Sequence, residues 1–164
     1  MNIIFFKIKK FCFFTVFFLI FLLFSNFTAF NQCWQQISGG TLHTLGIKSD
    51  GTLWAWGDNS AGQLGIGQSG NTNIPSQIGK ESNWKQISAG FNHSAAIKNN
   101  GTLWLWGYNF YGQLGDGTQT IQYQPIQING TWNEVSAGAS HTLAIKSDGT
   151  LWAWGNNDRA QAGG

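Results

Sequence analysis

The sequence predicts an all-β fold built from repeated sheets that stack on one another. The first observation is a stretch, IKNNGTLWLWGYNFYGQL from Ile97 to Leu114, that occurs nearly verbatim again from Ile47 to Leu64 and from Ile145 onward. The second is a composition rich in glycine and tryptophan and poor in charge, which favours short strands and tight turns over surface helices. A unit copied along the chain at a fixed spacing is typical of repeat architectures.

Each unit opens with two short predicted strands. The first strands cover 34–38, 84–88 and 132–136, and a glycine lies one or two residues beyond each, at Gly39, Gly90 and Gly138. The second strands cover 43–47, 93–97 and 141–145. Asp50-Gly51, Asn100-Gly101 and Asp148-Gly149 come next, each between two apolar runs. Such pairs tolerate the positive φ that a type I′ turn needs at both central positions, so each predicts a β-hairpin with that turn.

The third strand of each unit has apolar residues on both faces. In the middle unit Leu103 and Leu105 point to one side, and Trp104 and Trp106 to the other. A sheet with one face in water would alternate apolar with polar residues, so both faces must be covered. Sheets stacked face to face meet this need, and they are the blades of a β-propeller. A fourth strand is expected at 75–78 and 125–128, where a proline suits an edge.

Three runs of residues resemble the regulator of chromosome condensation repeat family. They are His141-Thr142-Leu143-x-Ile145, the Gly-Thr-Leu-Trp-Ala-Trp-Gly run that begins at Gly51, and Gly112-Gln113-Leu114-Gly115-Asp116-Gly117. The resemblance covers the chain from Trp34 onward. It implies β-propeller blades, with about seven of them in a closed ring.

The expected propeller is incomplete. We divide residues 31–164 into units at about 34–83, 84–131 and 132–164, the last of them truncated, so fewer than three full units are present. An open stack exposes apolar blade faces and strand edges, which favours self-association. We therefore expect a fragment of a longer propeller; the alternatives are a ring completed by identical chains and a poorly stable piece.

Residues 1–30 form a separate segment with the pattern of an export signal. Lys7, Lys9 and Lys10 precede a run from 11 to 24 that is apolar except for Thr15. The run is shorter than the roughly 20 residues that a membrane-spanning helix needs. We expect an apolar helix here, acting as a cleaved secretory signal or as an uncleaved membrane anchor. The protein would then be secreted, or membrane-anchored through contact of this segment with the bilayer.

Charge and motifs argue against several function classes. Without the three N-terminal lysines, six of the nine basic residues face seven acidic ones, so no basic surface for nucleic acid is expected. His43, His93 and His141 recur once per unit and are expected to bond a nearby turn in their own blade, with no metal bound. No catalytic constellation is found, so we expect no enzyme activity, no catalytic residue and no cofactor.

Aromatic residues that break the repeat are the candidate contacts for a partner protein. The tryptophans recur three per unit, so we expect them to pack between blades rather than to bind sugars. Phe91, Tyr108, Phe110 and Tyr111 differ from unit to unit and lie near loops, and aromatic residues often anchor protein interfaces.

The sequence therefore predicts a non-catalytic protein-interaction scaffold of propeller type, exported or tethered to a membrane. The alternative that the resemblance implies is a guanine-nucleotide-exchange-factor-like regulator of a small GTPase. Some members of the family promote exchange through an inserted hairpin, and no unit of this sequence contains such an insertion.

Overall fold

A computed structural model describes residues 33–163 of the chain. The predicted apolar helix, export signal or membrane anchor in residues 1–30 lies outside the described residues. From residue 33 to residue 163, no helix is long and apolar enough to cross a membrane.

The described residues form three antiparallel sheets, as the sequence predicts for an all-β protein. The first sheet, blade 1, has strand order β1-β2-β3-β4; the second, blade 2, has order β5-β6-β7-β8; and the third, blade 3, has order β9-β10-β11. The strands are β1 (Trp34–Gly39), β2 (His43–Lys48), β3 (Leu53–Gly57), β4 (Thr72–Gln77), β5 (Trp84–Ala89), β6 (His93–Lys98), β7 (Leu103–Gly107), β8 (Gln122–Ile128), β9 (Trp132–Ala137), β10 (His141–Lys146) and β11 (Leu151–Gly155).

The blades stack with their first strands side by side. Strand β5 contacts both β1 and β2 of blade 1, and β9 makes the same contacts with β5 and β6 of blade 2. The fourth strands β4 and β8 form the outer edges of their sheets. This arrangement places first strands inside and fourth strands outside, as in the blades of a propeller.

The middle sheet separates two apolar cores. Trp106 packs with Leu45, Leu53 and Ala55 of blade 1, together with Trp84 and Ile87 from its own blade. Leu103 and Leu105 pack on the other side with Trp132 and Val135 of blade 3. The prediction that the third strand is covered on both faces is confirmed, because each face of β7 lies against a neighbouring blade.

The hairpins occur where they were predicted, but the predicted turn type is wrong. In blade 1 the Gly51 N–H donates to the Lys48 carbonyl at 2.9 Å, and the Lys48 N–H donates to the Thr52 carbonyl at 3.0 Å. Gly51 has a φ of 80°, whereas Asp50 is not among the described residues with positive φ. This is a three-residue loop that ends on a left-handed glycine. Asp50 keeps negative φ because its carboxylate accepts hydrogen bonds from the Thr52 N–H at 3.0 Å and the Thr52 hydroxyl at 2.6 Å.

The predicted fourth strands are confirmed and are longer than expected. Strand β4 starts at Thr72 and β8 at Gln122, ahead of Pro75 and Pro125. The pairing of each fourth strand with the third has a register shift before the glycine that ends the third strand, Gly57 or Gly107. An edge strand tolerates proline because one of its sides carries no ladder hydrogen bonds.

A lysine lies between two tryptophans in every blade. In blade 2 the Lys98 Nζ is 4.7 Å from the centroid of the Trp84 ring and 4.2 Å from that of Trp104. Lys98 is buried and also forms an ion pair with Glu81 at 3.6 Å. The indole faces attract the cation and help to offset its loss of water. Trp104 therefore holds a lysine of its own blade and also packs against the apolar core shared with blade 1, as expected for a tryptophan between blades.

Candidate functional site

One end of the blades carries the loops that depart from the repeat. In β2 and β3 His43 pairs with Gly57, so the loop before β2 and the loop after β3 meet at one end of blade 1. The Asp58 N–H donates to the Leu42 carbonyl at 2.8 Å, which ties these two loops together. We call this end the loop face; it comprises residues 40–42, 58–71, 90–92, 108–121, 138–140 and 156–163.

Buried amides give the long loops of the loop face one backbone shape. The Asn109 Oδ1 accepts a hydrogen bond from the Leu114 N–H at 2.9 Å, and its Nδ2 donates to the Thr118 carbonyl at 3.1 Å. In blade 1 the Asn59 Oδ1 accepts in the same way from the Leu64 N–H at 3.0 Å. Sequence reasoning missed these asparagines as organisers of the site. The signal was present, since an asparagine recurs two residues after the glycine that ends each third strand.

Asp116 belongs to the same framework. Partial burial acts to raise its pKa, but hydrogen bonds from Thr118, Asn109 and Gln122 together hold the pKa below its ordinary value. The Thr118 N–H donates to its carboxylate at 2.9 Å, and the Asn109 Nδ2 donates at 3.0 Å. Asp116 is therefore ionised at neutral pH and serves to close the loop of blade 2.

Three of the four predicted contact residues form one aromatic cluster on this framework. Tyr108 stacks on Phe110 with ring centroids 6.1 Å apart and planes 14° from parallel. Tyr111 meets Tyr108 and Phe110 edge-on, with both centroid distances 6.5 Å. Phe110 is 64% exposed and Tyr111 is 47% exposed, while Tyr108 is half-buried. We call these three residues the aromatic cluster.

The cluster is present in blade 2 alone among the three blades. Blade 1 has Asp58, Ser60 and Ala61 at the equivalent positions, and blade 3 has Asn156, Asp158 and Arg159. Because the loops of blades 1 and 3 make the same asparagine bonds without any aromatic residue at these positions, the fold does not require aromatic rings there. The rings are therefore a property of this surface and not of the repeat.

The fourth predicted contact residue, Phe91, lies apart from the cluster. Its ring is 48% exposed, and it makes no ring contact with the cluster within residues 33–163. Its loop is nevertheless tied to the cluster, since the Tyr108 N–H donates to the Asn92 carbonyl at 2.8 Å. The Phe91 N–H donates to the Gly138 carbonyl of blade 3 at 3.3 Å, which fixes its loop from the other side.

Two of the three recurrent histidines, His43 and His93, connect blades. The His43 Nε2 lies 2.8 Å from the Ser94 Oγ in blade 2, and the Ser94 hydroxyl donates to the Gln63 carbonyl at 2.7 Å. Since the only hydroxyl proton goes to that carbonyl, the His43 Nε2 must donate to Ser94. His93, Thr142 and the Gln113 carbonyl repeat the chain of bonds between blades 2 and 3 at 3.0 Å and 2.8 Å. For His43 and His93 the predicted structural role is confirmed, but the partner lies in the next blade rather than in a turn of their own.

Both buried histidines are neutral. Burial lowers the pKa of His43 to about 4, against a smaller opposite effect of Asp58. Burial also lowers the pKa of His93 to about 3, helped by the neighbouring His43 and His141. Ser94 is fully buried with its proton bound to a carbonyl, so its pairing with His43 braces two blades and presents no nucleophile. No group of three or more His, Cys, Asp or Glu side chains in the described part of the chain could hold a metal ion.

Comparison with known proteins identifies the repeat. Residues 50–97 and 100–145 match one family model described as the regulator of chromosome condensation (RCC1) repeat, and residues 34–63, 84–113 and 132–161 match a second model with the same description.

Individual relatives share short segments with the chain. It is 44% identical over 48 residues, 29% of its length, to the ultraviolet-B receptor UVR8 of Arabidopsis thaliana. It is 39% identical over 44 residues, 27% of its length, to the human X-linked retinitis pigmentosa GTPase regulator. The matched segments span 11% and 4% of those two relatives.

Solved structures share the fold. Human WBSCR16 superimposes with a TM-score of 0.71 at 23% identity, covering 77% of this chain and 34% of that one. Prp20p from Saccharomyces cerevisiae, a protein described for its binding to Gsp1p and histones, superimposes with a TM-score of 0.71 at 22% identity, covering 79% and 34%. The chain thus spans about a third of these structures, and at such identities the likeness concerns the fold.

Proposed function

Because this chain belongs to the regulator of chromosome condensation (RCC1) repeat family, we propose that it is a non-catalytic protein-interaction scaffold, exported or held at a membrane through residues 1–30. The observation that carries the proposal is the aromatic cluster on blade 2, where the other two blades have no aromatic residue at the equivalent positions. Where the blades of one chain share a loop framework and one loop deviates from it, the deviating loop is suited to binding.

The chemistry of the cluster fits a protein partner. Tyrosine and phenylalanine supply large contact areas with few side-chain torsions to order, and they are enriched at the centres of interfaces. The Phe110 ring is largely exposed, stacks on Tyr108 and meets Tyr111 edge-on. Their hydroxyl groups can bond a partner after its surface has lost water.

The binding proposal is tested by photo-crosslinking in cells that express the full chain. A photoreactive phenylalanine analogue at position 110 is expected to capture one discrete protein. Capture should be lost when Tyr108 and Tyr111 are replaced by the blade 1 residues, as Tyr108→Asp and Tyr111→Ala. The matched control carries the analogue at Ile74, which is exposed on the outer strand β4. Equal adducts from positions 110 and 74, or none from 110, would contradict the proposal.

The export proposal is supported by the basic start and the apolar run of residues 1–30, and it has its own test. Cell fractionation of the full chain, followed by mass determination of its N-terminal peptide, should find it outside the cytosol or in the membrane fraction. Recovery of an intact chain from the cytosol would overturn this part of the proposal and leave the interaction site unaffected.

A GTPase regulator is the second candidate function. It is favoured by the names of similar proteins, which include a GTPase regulator and a protein with binding to Gsp1p. The discriminating measurement is the release of fluorescent GDP from small GTPases in the presence of the full chain. Accelerated release that disappears in the Tyr108→Asp, Tyr111→Ala variant would favour exchange activity at the same face. Unchanged release from a chain that is exported would remove this candidate.

A further inference from the structure

Within residues 33–163, two opposite faces of the blade stack are apolar and exposed, and they carry the two halves of a contact that the chain already makes twice. Ile37 on blade 1 is 66% exposed, whereas its equivalent Ile87 is 4% exposed because it packs in the core shared with blade 1. At the other end of the stack Leu151 on blade 3 is 69% exposed, whereas Leu103 is 0% exposed beneath blade 3.

From these faces the geometry points to head-to-tail docking of a second copy of this chain, with blade 1 of one copy on blade 3 of the other. The internal contacts show what such a joint requires. Between consecutive blades, a histidine of the earlier blade donates to a Ser or Thr hydroxyl of the later blade. That hydroxyl and a tryptophan Nε1 of the later blade both donate to one glutamine carbonyl of the earlier blade.

Blade 3 carries every group that the earlier blade must supply. His141 occupies the place of His43 and His93, is only half-buried, and makes no side-chain hydrogen bond within residues 33–163. Gln161 stands where Gln63 and Gln113 offer their carbonyls, and in the described part of the chain its own carbonyl accepts no such bond.

Blade 1 carries every group that the later blade must supply. Thr44 stands where Ser94 and Thr142 receive the histidine, and it is only half-buried. Trp56 stands where Trp106 donates to the Gln63 carbonyl at 2.9 Å and where Trp154 donates to the Gln113 carbonyl. In residues 33–163 neither side chain has the corresponding inter-blade bond.

A glycine on blade 3 leaves room for the incoming indole. A Cβ on Gly65 would lie 2.7 Å from the Nε1 of Trp106, and one on Gly115 would lie 2.7 Å from the Nε1 of Trp154. Both glycines let the next blade's tryptophan lie against the backbone. Gly163 occupies the same place on blade 3 with a φ of 80°, and a Cβ there would meet nothing within 4 Å.

The second copy is the occupant that this chain defines. It presents Ile37, Thr44 and Trp56 in the spacing that the blade 3 face accepts, because that spacing is the one already used by blades 2 and 3. The joint is heterologous, so each copy uses a different surface. The aromatic cluster on the loop face takes no part in it.

Complementary single variants test this arrangement by sedimentation of the full chain in a mild detergent. The wild-type chain is expected to form species larger than a monomer. Ile37→Asp removes the blade 1 face and Leu151→Asp removes the blade 3 face, so each variant alone should be monomeric, with association weakened at least about tenfold by an unpaired buried charge. The two variants mixed should form a 1:1 dimer, because each retains the face that the other has lost.

The control is Ile74→Asp, which places the same charge at an equally exposed residue on the outer strand β4, and which should associate as the wild type does. Circular dichroism melting of all variants verifies that folding is retained, since both substituted side chains are mostly in solvent. A monomeric wild-type chain at about 100 μM overturns the inference. So does a mixture of the two variants that stays monomeric while the wild type associates.

Discussion

At the scale of single residues, a few positions have structural roles that the repeat pattern does not reveal. His43 and His93 form hydrogen bonds between blades. They are neutral because burial lowers their pKa values. Ala160 has a φ of 58° where Gly62 and Gly112 have φ of 76° and 73°. Each of these features has a measurable consequence for stability.

The histidines predict a loss of stability in mild acid. Between pH 6.5 and about 4, His43 is protonated in the unfolded chain but stays neutral in the folded chain. The free energy of unfolding therefore falls as the pH is lowered through this window. Above pH 6.5 neither histidine lowers the free energy of unfolding through protonation. At pH 5 protonation of the unfolded chain lowers the free energy of unfolding by about 2 kcal/mol for each histidine. Urea unfolding of the full chain at pH 7 and pH 5 measures the difference.

The control for the pH experiment is the double variant His43→Gln, His93→Gln. It should be less stable at pH 7 and should show a flatter pH dependence, since it lacks both proton sites. Asp50, Asp116, Asp148 and Glu81 have lowered pKa values, so their contributions are lost only in stronger acid and do not confuse the comparison. Equal stability of the wild-type chain at both pH values would contradict the neutral, buried state of the histidines.

The left-handed loop position predicts opposite effects for two substitutions. Gly112→Ala should lower the free energy of unfolding by about 1 kcal/mol, because a Cβ disfavours positive φ and no side chain crowds the site. Ala160→Gly relieves the same strain in blade 3 and should raise stability by a smaller amount, since glycine gains entropy in the unfolded chain. Thermal unfolding of both variants is compared with Gly39→Ala, where φ is not positive and space is open. A stabilising Gly112→Ala would contradict the assignment.

At the scale of elements, each blade combines a standard hairpin with a lysine held between two indole rings. The three lysines are Lys48, Lys98 and Lys146, with distances to the nearer indole centroid of 3.4, 4.2 and 3.7 Å. In blade 2 Lys98 is buried, its two tryptophans pack in the core shared with blade 1 and Glu81 adds an ion pair, so the contribution to stability should be largest there.

Removing the charge of Lys98 tests this ranking. Lys98→Met keeps the apolar stem and removes the cation, and we expect a loss of about 1–2 kcal/mol in the free energy of unfolding. The matched variant Lys146→Met, in blade 3 with the exposed Trp152, should lose less because water already screens its cation. Chemical denaturation measures both, and an equal or larger loss for Lys146→Met would refute the dependence on burial.

At the scale of the whole molecule, the apolar interfaces between blades contribute much of the stability. The same residue type in the same repeat position is therefore worth different amounts in different blades. Ile87 is 4% exposed in the core between blades 1 and 2, while Ile37 is 66% exposed on the open face of blade 1.

Truncating these two isoleucines measures how much an interface between blades contributes to the free energy of unfolding. Ile87→Ala should cost about 2–4 kcal/mol, from lost transfer energy and a cavity. Ile37→Ala should cost less than about 0.5 kcal/mol in dilute monomeric protein, because its side chain is already in water. Denaturation at low and high protein concentration separates folding from association. A large cost for Ile37→Ala at low concentration would show that its face is covered within a single chain.

The sequence by itself determined the features that depend on neighbours along the chain. The Asp-Gly and Asn-Gly pairs placed the hairpins, and apolar residues on both sides of the third strand required stacked sheets. It also singled out Tyr108, Phe110 and Tyr111, because they break an otherwise regular repeat. The turn and strand signals act over a few residues and the repeat is visible by comparing units within the chain, so a single sequence is enough to read them.

Only the tertiary structure decided which residues meet across blades. Ser94 receives His43 from 51 positions away, and the Gln63 carbonyl accepts from Trp106, 43 positions away. The loop framework of Asn109 and the separation of Phe91 from the aromatic cluster were likewise decided by folding. The turn type also differs from the one predicted from sequence. The Asp50 carboxylate accepts a hydrogen bond from the Thr52 N–H, and Asp50 keeps a negative φ. Such contacts depend on how one sheet sits upon the next, and spacing along the chain does not encode that geometry directly.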